Sequence, residues 1–100
     1  MSDTVFELNG TILTAKPSEA LDSMTSPIFE GELRGHLAGI TDLIVDMAQV
    51  DYISSAGLRA FLAVRQTLED AGADMKIIHV NEYIMEIFEM VGFPEIVTVE

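Results

Sequence analysis

The apolar positions change period several times along the chain, and turn residues fall between the changes. Val5-Phe6-Glu7-Leu8 alternates over a short run, as a half-buried strand does. Asn9-Gly10 follows, then the β-prone run Thr11-Ile12-Leu13-Thr14-Ala15. Asn-Gly between two such runs predicts a type I′ turn, which needs positive φ at both central residues, so the chain should open with a β-hairpin. Thr25-Ser26-Pro27 reads as a helix start, a hydroxyl cap followed by proline at the first helical position. Phe29, Leu33, Leu37 and Ile40 then recur at helical spacing, with His36 on the same face. Leu43-Ile44-Val45-Asp46-Met47 has the pattern of a strand buried on both faces.

A helix is predicted from Ser55 to Ala71, with Phe61, Val64, Leu68 and Ala71 as its stripe and Leu58 and Leu62 on the flank. Arg59, Gln66 and Asp70 lie opposite, and Gly72 is placed as the stop. Met75 to Val80 is a second buried-looking strand. Asn81 can cap a helix carrying Ile84, Ile87, Phe88 and Val91, closed by Gly92 and Pro94, and Ile96 to Val99 is a last strand. The order is β-β-α-β-α-β-α-β. Strands alternating with helices imply parallel crossovers, so the fold class is α/β: one mostly parallel mixed sheet with an antiparallel hairpin strand at its edge and three main helices. One hundred residues suit a single domain over 1–100.

Composition narrows the function. Seventeen acidic residues face five basic ones, Lys16, Arg34, Arg59, Arg65 and Lys76, which form no patch for a polyanion. No nucleic-acid partner is expected, and a basic protein would be attracted from a distance. No apolar run approaches the about 20 residues of a membrane span, so no membrane insertion is expected either. Met1-Ser2-Asp3-Thr4 lacks a signal-peptide pattern, and the absence of cysteine is compatible with a cytoplasmic location. His36 has no second ligand at metal spacing, and no cofactor is expected.

Asp51-Tyr52-Ile53-Ser54-Ser55-Ala56-Gly57-Leu58 joins a strand end to a helix start, where unpaired N–H groups and the positive end of the dipole gather. Ser55 is the predicted N-cap, its hydroxyl toward the amides near Gly57 and Leu58. Capping alone accounts for such a serine. A phosphate added there would meet ready donors and bring about −1.5 to −2 charges.

This loop, with the Leu43–Met47 strand before it and the amphipathic helix after it, resembles the signature segment of STAS domains. It is most similar to bacterial anti-sigma factor antagonists, where a strand ending in Asp or Asn leads to Phe/Tyr-x-Asp/Ser-Ser-Ser/Thr/Ala-Gly-Leu. Glu19-Ala20-Leu21-Asp22 stands where the family has Gly-Glu-Leu-Asp, and Phe88-Glu89-Met90-Val91-Gly92-Phe93 resembles its ending. The resemblance implies a non-enzymatic partner switch. The unphosphorylated protein would bind an anti-sigma factor that is also a serine kinase of the histidine-kinase-like ATPase fold. Phosphorylation would break the complex, and a metal-dependent serine phosphatase would restore it. By position, Ser55 matches the phosphorylated serine, with Ser54 as the alternative because it stands where many antagonists have aspartate. Asp46 matches the acid ending the central strand, and Asp22 the acid beside the loop. Asp46 reads equally as a cap for local amides. Arg59, pointing outward one turn into the helix, is a candidate partner contact or a solvated residue.

Three alternatives stay open on the residues. A STAS scaffold subunit of a larger signalling or lipid-transport complex would dock through Leu62, Met85 and Met90 without switching. A serine hydrolase would need His36 or His79 as base, and the Gly-x-Ser-x-Gly elbow is missing. Nucleotide binding would need a glycine-rich cradle that the loop lacks.

Overall fold

The opening turn sits one residue later than the sequence predicts. Strand pairing runs from Val5↔Lys16 to Asn9↔Ile12, so β1 is Val5–Asn9, β2 is Ile12–Lys16, and the turn residues are Gly10 and Thr11. Gly10 has φ 65°, whereas Thr11 does not have positive φ. Positive φ at the first central residue alone is the type II′ requirement, which glycine satisfies without steric cost. The computed structural model describes residues 4–100; Met1, Ser2 and Asp3, read above for a leader pattern, lie outside the described residues.

After the hairpin come α1 (Thr25–Arg34), β3 (Asp42–Asp46), α2 (Ser55–Asp70), β4 (Asp74–Ile78), α3 (Glu82–Met90), a single 3-10 turn (Phe93–Glu95) and β5 (Thr98–Val99). The sheet order is β1-β2-β3-β4-β5, antiparallel at β1 and parallel elsewhere. Every crossover therefore steps the same way. Right-handed connections then put all three helices on one face of the sheet. Burial follows: in β3, Leu43 and Val45 are buried, while Asp42, Ile44 and Asp46 are only half-buried. The two-sided burial read for Leu43–Met47, and for the strand from Met75, is thus corrected. No second helical layer exists among the described residues to cover the other face.

On the covered face, Leu13, Ala15, Leu43, Val45 and Ile77 meet Phe29 and Leu33 of α1, Phe61, Val64 and Leu68 of α2, and Ile84 and Phe88 of α3. Phe61 is the hub. Its ring lies 6.0 Å from Phe29, 6.3 Å from Phe88 and 6.3 Å from Phe93.

The helix ends mix hits and corrections. Gly72 and Gly92 follow their helices in the left-handed region, and Asn81 Oδ1 accepts the Ile84 N–H at 2.8 Å, all as predicted. At α1 the predicted cap is wrong. Thr25 is the first helical residue and Pro27 the third, and it is the Asp22 carboxylate that accepts the Met24 and Thr25 N–H groups at 2.9 Å each. Proline remains harmless there, because the first turn has no intrahelical acceptors to lose. The helix also stops at Arg34, before the Phe29-to-Ile40 period runs out. Gly31, Gly35 and Gly39 lower helix propensity over this stretch, so Leu37 and Ile40 reach the core from successive turns. His36 leaves the apolar face: it is exposed, stacked on Phe6 at 4.0 Å, with Nδ1 2.9 Å from the Glu32 carbonyl. Ala71 and Val91, predicted for apolar stripes, are exposed cap residues.

Replacing the hub tests this packing. Phe61→Ala is expected to cost about 3–5 kcal/mol, the range for a buried aromatic whose site cannot collapse. Urea unfolding followed by far-UV circular dichroism measures it.

Candidate functional site

The residues between β3 and α2 form a loop held at several points. Met47 N–H reaches the Ile78 carbonyl at 2.9 Å, and the Val50 carbonyl accepts from Asn81 Nδ2 at 3.4 Å. Val50 and Ile53 are buried, whereas Asp51 and Tyr52 are exposed. The tightest anchor comes from far back in the chain. Leu21 and Ile53 form an isolated parallel bridge, in which the Leu21 N–H donates to the Tyr52 carbonyl at 3.0 Å and the Ser54 N–H donates to the Leu21 carbonyl at 2.9 Å.

The two serines now separate. Ser54, not Ser55, is the N-cap of α2. Its Oγ donates to the Leu21 carbonyl at 3.1 Å and accepts the Gly57 N–H at 3.4 Å. Both bonding directions of that hydroxyl are in use. Ser55 is the first helical residue, exposed, and among the described residues its hydroxyl has no hydrogen-bond partner. The cap predicted for Ser55 is corrected because the hydroxyl one residue earlier can serve Leu21 as well as Gly57. The Ser55 and Ala56 N–H groups have no acceptor among the described residues, so the helix start keeps its donors and its positive dipole end.

Gly57 lets this turn close. A Cβ there would stand 2.6 Å from Ile53 Cγ1 and 3.0 Å from the Leu21 carbonyl oxygen. Leu58 is half-buried, and its N–H donates to the Ser54 carbonyl at 3.0 Å. Arg59 and Leu62 are exposed on α2, four and seven residues after Ser55, and so share its face. Arg59 has no ion pair among the described residues. Helix α1 runs alongside α2, with Arg34 Nη1 donating to Thr67 Oγ1 at 2.8 Å. Met24 and Ile28 are exposed at its beginning. Tyr52 and Leu62, on the loop and helix that carry Ser55, are exposed as well.

Asp22 follows Leu21 and so lies beside the loop. Hydrogen bonds from the Thr25 and Met24 amides hold its carboxyl below the ordinary 3.8. Asp46 ends β3 but turns elsewhere. Its Oδ1 accepts the Ala48 N–H at 3.0 Å and lies 2.8 Å from His79 Nδ1. It lines a pocket of about 420 Å³ on the open face of the sheet with Glu7, Lys16, Ser18 and Gln49. Burial opposes ionisation of Asp46, but the His79 and Ala48 hydrogen bonds and the charges of His79 and Lys16 outweigh it and hold the carboxyl below 3.8. Asp46 thus caps a local amide, that of Ala48. His79, with φ 59°, is the partner that sequence reasoning missed, since the two residues are 33 apart.

The STAS domain family model matches residues 2–100. The chain belongs to the STAS domain family. This STAS domain is 28% identical over 86 residues to BtrV of Bordetella bronchiseptica, a protein named for an inferred anti-sigma factor antagonist role, over 86% of this chain and 67% of BtrV. A crystal structure of a Thermotoga maritima protein given the same inferred role has TM-score 0.91 at 13% identity, covering 96% of this chain and 84% of that one. The phosphorylated form of the Bacillus cell-fate determinant SpoIIAA has TM-score 0.76 at 12% identity, over 97% and 90%. At these identities the solved structures speak for the fold: a five-stranded mixed sheet with three helices.

The two serines are expected to differ in their effect on stability. Ser54→Ala loses a cap and should cost about 1–2 kcal/mol, whereas Ser55→Ala should stay within about 0.5 kcal/mol. Gly57→Ala should destabilise by about 1–3 kcal/mol, because overpacking against Ile53 and a backbone oxygen outweighs the gain of about 1 kcal/mol in helix propensity. Urea midpoints read all three. Asp22 and Asp46 both have folded pKa values lowered from 3.8, so their contribution is present above that pH and is lost as pH falls below it. Asp46→Asn should therefore flatten the loss of stability between about pH 5 and pH 2, measured by urea unfolding across that range.

Proposed function

We propose that this STAS domain is an anti-sigma factor antagonist that works by partner switching, with Ser55 as the modified residue. The observation that carries the reading is the contrast between the two serines: Ser54 Oγ is tied to Leu21 and Gly57, while Ser55 Oγ is exposed with no partner among the described residues. A kinase can reach Ser55 without undoing the fold. Transfer of the γ-phosphoryl group of ATP forms an Oγ–P bond on Ser55, breaks the bridging P–O bond to ADP, and sends the hydroxyl proton to a base of the kinase. The phosphate then meets the open Ser55 and Ala56 amides at the helix start, so the domain tolerates it. A protein docked over Tyr52, Leu62, Met24 and Ile28 would not, because about two negative charges would have to be desolvated in its interface.

In this reading the unmodified domain binds an anti-sigma factor that is also a serine kinase of the histidine-kinase-like ATPase fold, and a serine phosphatase restores the hydroxyl. Gly57 and Leu58 shape the docking turn, Arg59 and Leu62 contact the partner, and Asp22 fixes the start of α1 beside it. The setting is the bacterial cytoplasm. The domain acts by binding and not by catalysis. That view is supported by the Ser55 hydroxyl, which among the described residues is hydrogen-bonded to neither His36 nor His79.

The test pairs the chain with an anti-sigma factor kinase from its own cell and ATP, reading intact mass. The parent and Ser54→Ala are expected to gain one phosphoryl group, and Ser55→Ala none while still binding. Ser55→Asp should bind the kinase at least about tenfold more weakly than Ser55→Ala, a difference of about 1.4 kcal/mol. Equal affinities of these two variants, or phosphorylation that survives in Ser55→Ala, would remove Ser55 from the mechanism.

A further inference from the structure

Helix α3 carries two apolar stripes; the core buries one and, from the second, packs only against the partly buried Ile87. Ile84 and Phe88 are buried against the sheet, whereas Tyr83 is 53%, Val91 58% and Met90 85% exposed. At 100° per residue, Tyr83, Ile87, Met90 and Val91 fall within one sector, the i, i+4, i+7, i+8 pattern of a contact face. Glu82, Glu86 and Glu89 run along one flank of that sector. These carboxylates lack compensation. Among the described residues, Lys16, Arg34, Arg65 and Lys76 pair with Glu7, Glu30, Glu69 and Glu100, while Arg59 stands on the Ser55 face of α2. Among the described residues no cation is paired with the α3 acids.

We propose that the outer face of α3 is a second protein-docking surface, and that its occupant is a basic amphipathic helix of a partner. An apolar row on that helix covers Tyr83, Ile87, Met90 and Val91, and its lysines or arginines meet Glu82, Glu86 and Glu89. Methionine suits such a contact because its unbranched side chain adapts to the opposing surface. The charge pattern decides among occupants. A second copy related by a two-fold axis would set these glutamates against their own equivalents. An anionic membrane would repel them. Within this face, Met90 and Val91 lie at the far end of α3 from Asn81, which binds the Ser55 loop through Val50. The proposal does not rest on the phosphoswitch.

The probe is a synthetic helical peptide of about 18 residues with leucine on one face and lysine on the other, long enough to fold alone. A leucine/glutamate peptide of the same pattern is the control. The lysine peptide is expected to shift the amide resonances of residues 82–91 of the isotope-labelled domain, and to bind more weakly as salt rises. The glutamate peptide should not bind. Tyr83→Ser with Met90→Ser should weaken binding about tenfold or more, while Met24→Ser with Leu62→Ser leaves it unchanged. All four side chains are exposed, so an unchanged urea midpoint certifies that each variant is folded. Shifts spread over the whole acidic surface, shifts centred on residues 55–62, or undiminished binding by the Tyr83/Met90 variant would overturn the proposal. A dimer that the same variant dissolves would overturn it too, by making a second copy the occupant.

Discussion

The Ser55 turn depends on the backbone of Leu21. Its carbonyl oxygen takes bonds from the Ser54 N–H and Oγ, and its amide is bound to the Tyr52 carbonyl. This single bridge lies outside the main sheet, yet it fixes the starts of two helices. On its own side it places Asp22, whose carboxylate accepts the first amides of α1. Across the bridge it buries Ile53 and turns Ser54 inward, so the next residue emerges on the surface as the first residue of α2. The same closeness forbids a side chain at Gly57. The free hydroxyl of Ser55 and the blocked hydroxyl of Ser54 are two consequences of one contact.

What the sequence shows well is what neighbouring residues decide among themselves. Asn81 caps α3, and Gly72 and Gly92 end their helices, because each motif closes within a few residues. The order of elements and the edge hairpin also follow from local period. The errors arise where a distant group chooses between equivalent neighbours. Ser54 and Ser55 are equally good caps in isolation, and the Leu21 carbonyl, 33 residues away, selects Ser54. Thr25 and Ser26 likewise yield to Asp22. A one-residue shift also moves the hairpin turn, since Asn-Gly and Gly-Thr each satisfy a primed turn type.

The one-sided sheet was hidden for a different reason. Ile44 and Ile78 occupy the open face and are only half-buried, so their strands look as apolar as strands covered on both sides. Only the direction of winding separates the cases, and that is a property of all five strands together. The exposure of Met24 and Ile28 was hidden on similar grounds, because both read as ordinary members of a helix. His79 was noticed only as a possible base. Its bond to Asp46 needed two strand ends to meet.

Charge ties the two surfaces into one argument. Four of the five Lys and Arg side chains are held in ion pairs elsewhere, so among the described residues Glu82, Glu86 and Glu89 have no cationic partner. Arg59 is the exception, and it stands one helical turn after Ser55. On the partner-switching reading, an unmodified Ser55 leaves Arg59 free to meet an acid of the kinase. A phosphate on Ser55 would sit at the i, i+4 distance from that guanidinium and compete for it. One modification would thus add negative charge to the interface and draw Arg59 away from it. The α3 face holds no such cation to lose, so a partner bound there would keep its grip through both states of Ser55.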